Sequence, residues 1–157
     1  MPKSSPGYIT HISISNGGVP KRPIPNVQIT PDGLIGDRQK NLKYHGGPDR
    51  AVCLWSADVI QALQREGHPI KPGSAGENIT VAGLSWEQLV PNVQLQLGNN
   101  VSLLITDYAQ PCRHIGQFFS DRRYSRINQA RHPGSSRLYA RVVSPGTVSV
   151  GNYVQLL

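Results

Sequence analysis

Cys112 stands between Pro111 and the pair Arg113-His114. Cationic neighbours favour the thiolate, the form that attacks electrophiles and ligates soft metals. The stretch 105–114 also ends an apolar strand-like run, a common place to present a side chain at a pocket mouth. The only other cysteine, Cys53, lies inside the apolar run Ala51-Val52-Cys53-Leu54-Trp55 and reads as a small buried hydrophobe.

A second chemical cluster runs from Gly36-Asp37-Arg38-Gln39 to Tyr44-His45-Gly46-Gly47-Pro48-Asp49-Arg50. Paired glycines allow a sharp turn or close backbone approach to a ligand, and their amides can form an anion-binding nest. His45 suits proton transfer or donation to an oxyanion. Asp49 suits orienting His45 or capping the turn. A purely structural turn explains the same glycines. The loop Gly73-Ser74-Ala75-Gly76-Glu77-Asn78 enters a third apolar stretch. Glu77 reads as a brace for backbone amides, and Asn78 as either a brace or a pocket residue. It is not a phosphate-binding P-loop, because the Gly-Lys-Ser/Thr ending is missing.

Further along, alternation places Arg137, Tyr139 and Arg141 on one strand face. That face could hold a phosphate or could be an ordinary exposed surface. The charge distribution sharpens the question. Residues 111–157 hold seven Arg, no Lys and one acid, a balance of +6 within a total of +7. Arginine favours fixed bidentate recognition of phosphate or carboxylate. A small anionic ligand, a nucleic acid and a solvated basic face all fit. Nucleic acid ranks below the small anion, because aromatic residues are not interleaved with the basic run. Zinc-type spacings and the nucleophile elbow of serine hydrolases are absent. A Cys-His nucleophile with His45 or His114 as base remains open.

The elements that must position these groups are mostly strands. Period-two or solid apolar runs over 7–15, 51–55, 78–81, 93–97, 101–106, 139–143 and 147–156 predict β-structure. Leu97-Gly98-Asn99-Asn100-Val101 predicts a hairpin. One helix is expected over 56–64, with Ser56 as N-cap and Gly67 as the stop. A helical turn is expected at 85–89, and a helix within 112–126. Many short strands with few helices predict a mainly β fold, a closed or nearly closed β-barrel with a few short helices. The length predicts a single domain over 1–157 with residues 1–7 frayed. No stretch approaches the length of a membrane span, and no hydrophobic leader opens the chain. A cytoplasmic protein with both thiols reduced is the expectation.

These segments, in this order, resemble the MOSC family, named after the C-terminal domain of molybdenum cofactor sulfurases. The resemblance covers roughly residues 10–156 and is closest to small standalone bacterial members. It rests on Gly36-Asp37-x-Gln39, on His45-Gly46-Gly47-x-Asp49-x-Ala51-Val52, and on Gly73-x-x-Gly76-Glu77-Asn78-Ile79-Thr80. Pro111-Cys112 and Gly134 to Tyr139-x-Arg141-Val142 complete it. The family's arginine before Pro-Cys is absent, and Arg113 follows instead. The resemblance implies a barrel-like domain with the molybdenum cofactor, a phosphate-bearing pterin, as ligand. Pyridoxal phosphate is a family-level alternative ligand. It implies Cys112 as persulfide carrier or metal ligand, with His45 and Asp49 in catalysis. Gly46, Gly47, Asn78, Arg113, Arg137, Tyr139 and Arg141 are then expected to hold the cofactor. It further implies a sulfur carrier or the catalytic unit of a reductase for N-hydroxylated substrates. Such a reductase would need an electron-donor protein, since the sequence carries no flavin, haem or iron–sulfur signature. A non-catalytic anion-binding or regulatory module of the same fold is the alternative.

Overall fold

The computed structural model describes residues 5–38 and 47–157. Its strands are β1 (Gly7–Ile14), β2 (Arg22–Ile24), β3 (Asn26–Thr30), β4 (Gly33–Leu34), β5 (Val52–Ser56) and β6 (Ile79–Ala82). They continue as β7 (Gln94–Leu97), β8 (Val101–Tyr108), β9 (Leu138–Ser144), β10 (Gly146–Ser149) and β11 (Tyr153–Leu156). One α-helix, α1 (Ala57–Arg65), and short 3-10 helices fill the connections.

Seven strands close into a barrel in the order β1-β6-β5-β9-β8-β7-β11, with β11 returning to β1 through Gly7↔Val154 and Tyr8↔Tyr153. The barrel expected from the strand-rich pattern is therefore present. β2 extends the sheet on β1, and β10-β3-β4 form a small second sheet. Closure removes the free edges that would otherwise template pairing with other chains.

β5 and β6 are the one parallel pair around the ring. A parallel pair cannot be joined by a hairpin and needs a crossover, and α1 supplies it. Ser56 caps α1 by accepting the Val59 N–H at 3.1 Å. Ile60 and Leu63 turn inward, and Gly67 ends the helix at φ +98°. Both strands are buried along their whole length, which explains their solid apolar runs. By contrast, β3 alternates between exposed and buried positions, as expected of a strand with one face in the core.

Two expectations change in detail. The run 147–156 is two strands, split where Asn152 Oδ1 accepts the Ser149 N–H. The helix expected within 112–126 is two 3-10 helices, Arg113–Phe118 and Tyr124–Ile127. Between them Asp121 accepts the Arg123 N–H at 2.9 Å and Arg122 adopts φ +62°. That local turn competes with a continuous helix.

Candidate functional site

A cavity of about 620 Å³ opens where β8, β9, β5 and the loops following β1 and preceding β6 meet. Its volume lies within the usual range for small-molecule sites. Cys112 lines it and is half-buried. The thiol is placed by its own chain geometry. At the end of β8 a register shift between Ile105 and Asp107 disturbs the ladder, and Ala109 N–H then donates to the Arg137 carbonyl. Bulges of this kind re-aim a strand. Cys112 then starts the 3-10 helix, accepting the Ile115 N–H, and His114 and Gln117 from that helix join it at the cavity.

Arg137 and Tyr139 enter from the start of β9. Arg137 is 6 % exposed and donates to two backbone carbonyls, Ala75 at 2.8 Å and Gln110 at 3.2 Å. Its Nε is buried without a partner. Among the described residues no carboxylate pairs directly with this guanidinium, so its charge can serve a ligand. Tyr139 lies beside Cys53, its strand partner, and the Arg50 guanidinium sits 5.1 Å from its ring centre. Burial pushes the Tyr139 hydroxyl up to about 12 and the Cys53 thiol up to about 11. In both cases desolvation outweighs the opposing pull of Arg137. Cys53 is thus held neutral at the cavity wall, in keeping with its reading as a buried hydrophobe.

A polar brace supports the cavity lining at Lys21 and Cys53. Asp37 is almost fully buried and accepts from Lys21 Nζ at 2.8 Å, from Asn78 Nδ2 at 2.9 Å and from the Ser15 N–H at 2.9 Å. Asn78 Oδ1 accepts the Cys53 N–H, and its Nδ2 also reaches the Ser13 carbonyl. Asn78 therefore ties β1, β5 and Asp37 together and stands behind the cavity surface. Glu77 Oε2 accepts the Gly73 N–H at 3.1 Å, which makes it a loop brace, while its Oε1 is buried without a partner. Burial pushes its carboxyl up to about 7, against the Gly73 hydrogen bond and the charges of Arg137 and Lys21.

Other residues singled out by the sequence lie elsewhere. Asp49 and Arg141 form an ion pair on the exposed surface and line no part of the cavity. Such pairs contribute roughly 0–1 kcal/mol. Arg113 begins the 3-10 helix but points no atom to the cavity wall. Gly47 is exposed with φ +83° and leads into the 3-10 helix Pro48–Arg50. His45 and Gly46 lie outside the described residues.

The structure adds cavity residues that the sequence alone did not single out. Lys21, Gln110 and the pair Gly17-Gly18 all line it, together with Arg38 of the polar cluster 36–39. Arg38 has no carboxylate partner among the described residues, whereas Lys21 is committed to Asp37. A signal for Lys21 was available in Asn16-Gly17-Gly18-Val19-Pro20-Lys21, a glycine pair and proline directly after a strand. Lysine beside such a turn usually means solvent, and that expectation hid it.

Comparison with known proteins accords with this architecture. The MOSC domain matches residues 41–155. YflK of Bacillus subtilis is 31% identical over 142 residues, which cover 89% of this chain and 63% of that protein. YiiM of Escherichia coli is 24% identical over 160 residues, covering 99% of this chain and 66% of that protein. The chain thus spans about two thirds of the length of these relatives. The crystal structure of YuaD from Bacillus subtilis superposes with a TM-score of 0.78 at 17% identity, covering 99% of this chain and 98% of that one. With more than half of its length matched, this chain belongs to the MOSC domain family.

Proposed function

We propose that the cavity holds the molybdenum cofactor, or receives sulfane sulfur, through Cys112. The observation that carries the reading is the convergence of one half-buried thiol with the guanidinium groups of Arg38 and Arg137 around a single cavity. The donor set fits the group. A soft thiolate suits molybdenum and sulfane sulfur, and guanidinium groups suit a pterin phosphate. The orphaned Nε of buried Arg137 is a further donor awaiting an acceptor.

Bound there, the cofactor would supply two-electron oxygen-atom chemistry at its metal. The chain's own groups have separable tasks. Arg137, fixed by the Ala75 and Gln110 carbonyls, presents positive charge without needing to reorganise. Arg38 supplies a second cation. Lys21 is held by Asp37 and braces the cavity lining more than it donates charge. His114 at the mouth can carry protons between solvent and the cavity. Arg113 and Arg141, which the family resemblance grouped with the ligand, take no part at the cavity wall. As a sulfur carrier, Cys112 would accept sulfur from a donor persulfide: R–S–SH + Cys–SH → R–SH + Cys–S–SH, with no net redox change.

The test is elemental and chemical. The protein and its Cys112→Ser variant are purified from a host that makes the cofactor. Molybdenum is measured by mass spectrometry and sulfane sulfur by cyanolysis. Molybdenum or sulfane sulfur in the parent and its loss in the variant are expected. Equal amounts in both proteins, or none in either, overturn the reading.

A further inference from the structure

We propose that the arginine-rich segment 113–131 is a docking surface that seats an acidic electron-carrier protein over the mouth of the Cys112 cavity. The segment holds five arginines and a single acid, Asp121. Arg126 is satisfied by Glu66, with bonds of 3.0 and 2.7 Å. Arg113, Arg122, Arg123 and Arg131 are exposed, and none has a carboxylate partner among the described residues. Asp121 is engaged by the Arg123 N–H. This is an unbalanced cationic surface next to the site.

The same segment forms the cavity rim. Cys112, His114, Ile115 and Gln117 line the cavity, and Asn128 bonds to the rim residue Gln110 at 3.1 Å. The Arg122 carbonyl lies close to Gly116, between the cavity residues Ile115 and Gln117, so this basic surface adjoins the mouth. The platform is also fixed before any partner arrives. The Glu66–Arg126 pair and the contact of Ser120 N–H with His68 Nδ1 at 3.2 Å tie it to the end of α1. Phe119 is buried against the His68 ring at 5.2 Å. Cations held on a rigid surface steer an oppositely charged partner and lose little entropy on binding.

The chemistry of the patch favours an acidic protein over nucleic acid. Single-stranded nucleic acid is held by exposed rings on which bases stack, but Phe119 is buried and Phe118 and Tyr124 are half-buried. The choice of an electron carrier rests on the reductive form of the function proposed above. Loss of oxygen from an N-hydroxylated substrate, R–NH–OH + 2 e⁻ + 2 H⁺ → R–NH₂ + H₂O, takes its electrons from a reduced flavin or iron–sulfur carrier.

Binding of the full chain to immobilised flavodoxin, an acidic flavin carrier, is measured beside binding to mixed-sequence single-stranded and duplex DNA. Flavodoxin should bind and should weaken by about tenfold between low and physiological ionic strength. Combined Arg113→Glu, Arg122→Glu, Arg123→Glu and Arg131→Glu substitutions should abolish binding. Arg65→Glu on α1 should leave it intact. Should the fourfold variant fail to show a native thermal transition, the double variant R122E/R123E serves, with binding expected to fall by about tenfold. No binding by the parent protein, binding that survives charge reversal, or DNA binding tighter than flavodoxin and lost in the same variants overturns the proposal. Molybdenum and sulfane sulfur are read separately. Docking without either sinks the functional reading alone, and either one without docking sinks this inference alone.

Discussion

Glu77 is a carboxylic acid enclosed by protein, with one oxygen bonded to the Gly73 N–H and the other without a partner. Its folded value, about 7, lies above the ordinary 4.5, with desolvation the largest cause. Between those values the native state keeps a proton that the unfolded chain releases. Stability from this group is therefore complete below about pH 4.5 and is lost as pH rises through about 7. Glu66 works in the opposite direction, because its hydrogen bonds from Arg126 hold its carboxyl low. Comparison with Glu77→Gln isolates the buried group. The melting temperature of the parent minus that of the variant should fall across this window and level off above it. A difference independent of pH would mean that Glu77 titrates as an ordinary carboxyl. At this scale Glu77 was legible, because the Gly73 N–H it braces is close in sequence, whereas the cations that share the cavity with Cys112 come from distant segments rather than from its neighbour Arg113. The Asp37–Lys21–Asn78 brace was not legible, since its members come from three distant segments.

The loop before β6 shows how a single backbone position supports the site. Gly73 has φ +89°, and a Cβ there would stand 2.4 Å from the Lys21 carbonyl. Gly73 also donates to Glu77 and accepts the Lys21 N–H. Gly67 has a similar φ of +98°, yet a Cβ there would meet nothing within 4 Å. The two glycines therefore separate conformational strain from crowding. Gly67→Ala should cost about 1 kcal/mol in urea unfolding, and Gly73→Ala clearly more, on the order of 3 kcal/mol. Equal costs would mean that the close approach to Lys21 does not constrain the loop. The elements themselves were largely readable: α1 from its cap and its stop, and the long strands from their apolar runs. The short strands β2 to β4 were not. β2 has three residues with Pro23 among them and β4 has two, which left alternation no room to show, whereas Asn26-Val27-Gln28-Ile29-Thr30 of β3 does alternate but is flanked by Pro25 and Pro31.

Barrel closure governs whether these pieces meet at all. The ring sets β8, β9, β5, β6 and β1 side by side, and every cavity group belongs to one of those strands or to a connection adjoining them. The ring is sealed by β11, a four-residue strand that pairs with β7 on one side and with only Gly7 and Tyr8 of β1 on the other. Sequence could predict a barrel from strand number and patterning, but not which strands would seal it, because register between distant segments leaves no local mark. Two adjacent residues of β11 test the seal. Val154 is fully buried, while Tyr153 is 67% exposed. Val154→Asp places a carboxylate in the core and should abolish the cooperative thermal transition, because an unpaired buried charge costs several kcal/mol. Tyr153→Asp changes the same strand on its solvent face and should stay within about 0.5 kcal/mol of the parent. A cooperative transition retained in Val154→Asp would show that β11 is dispensable to the core. The remaining strands could then hold Cys112 beside Arg137 without a closed ring.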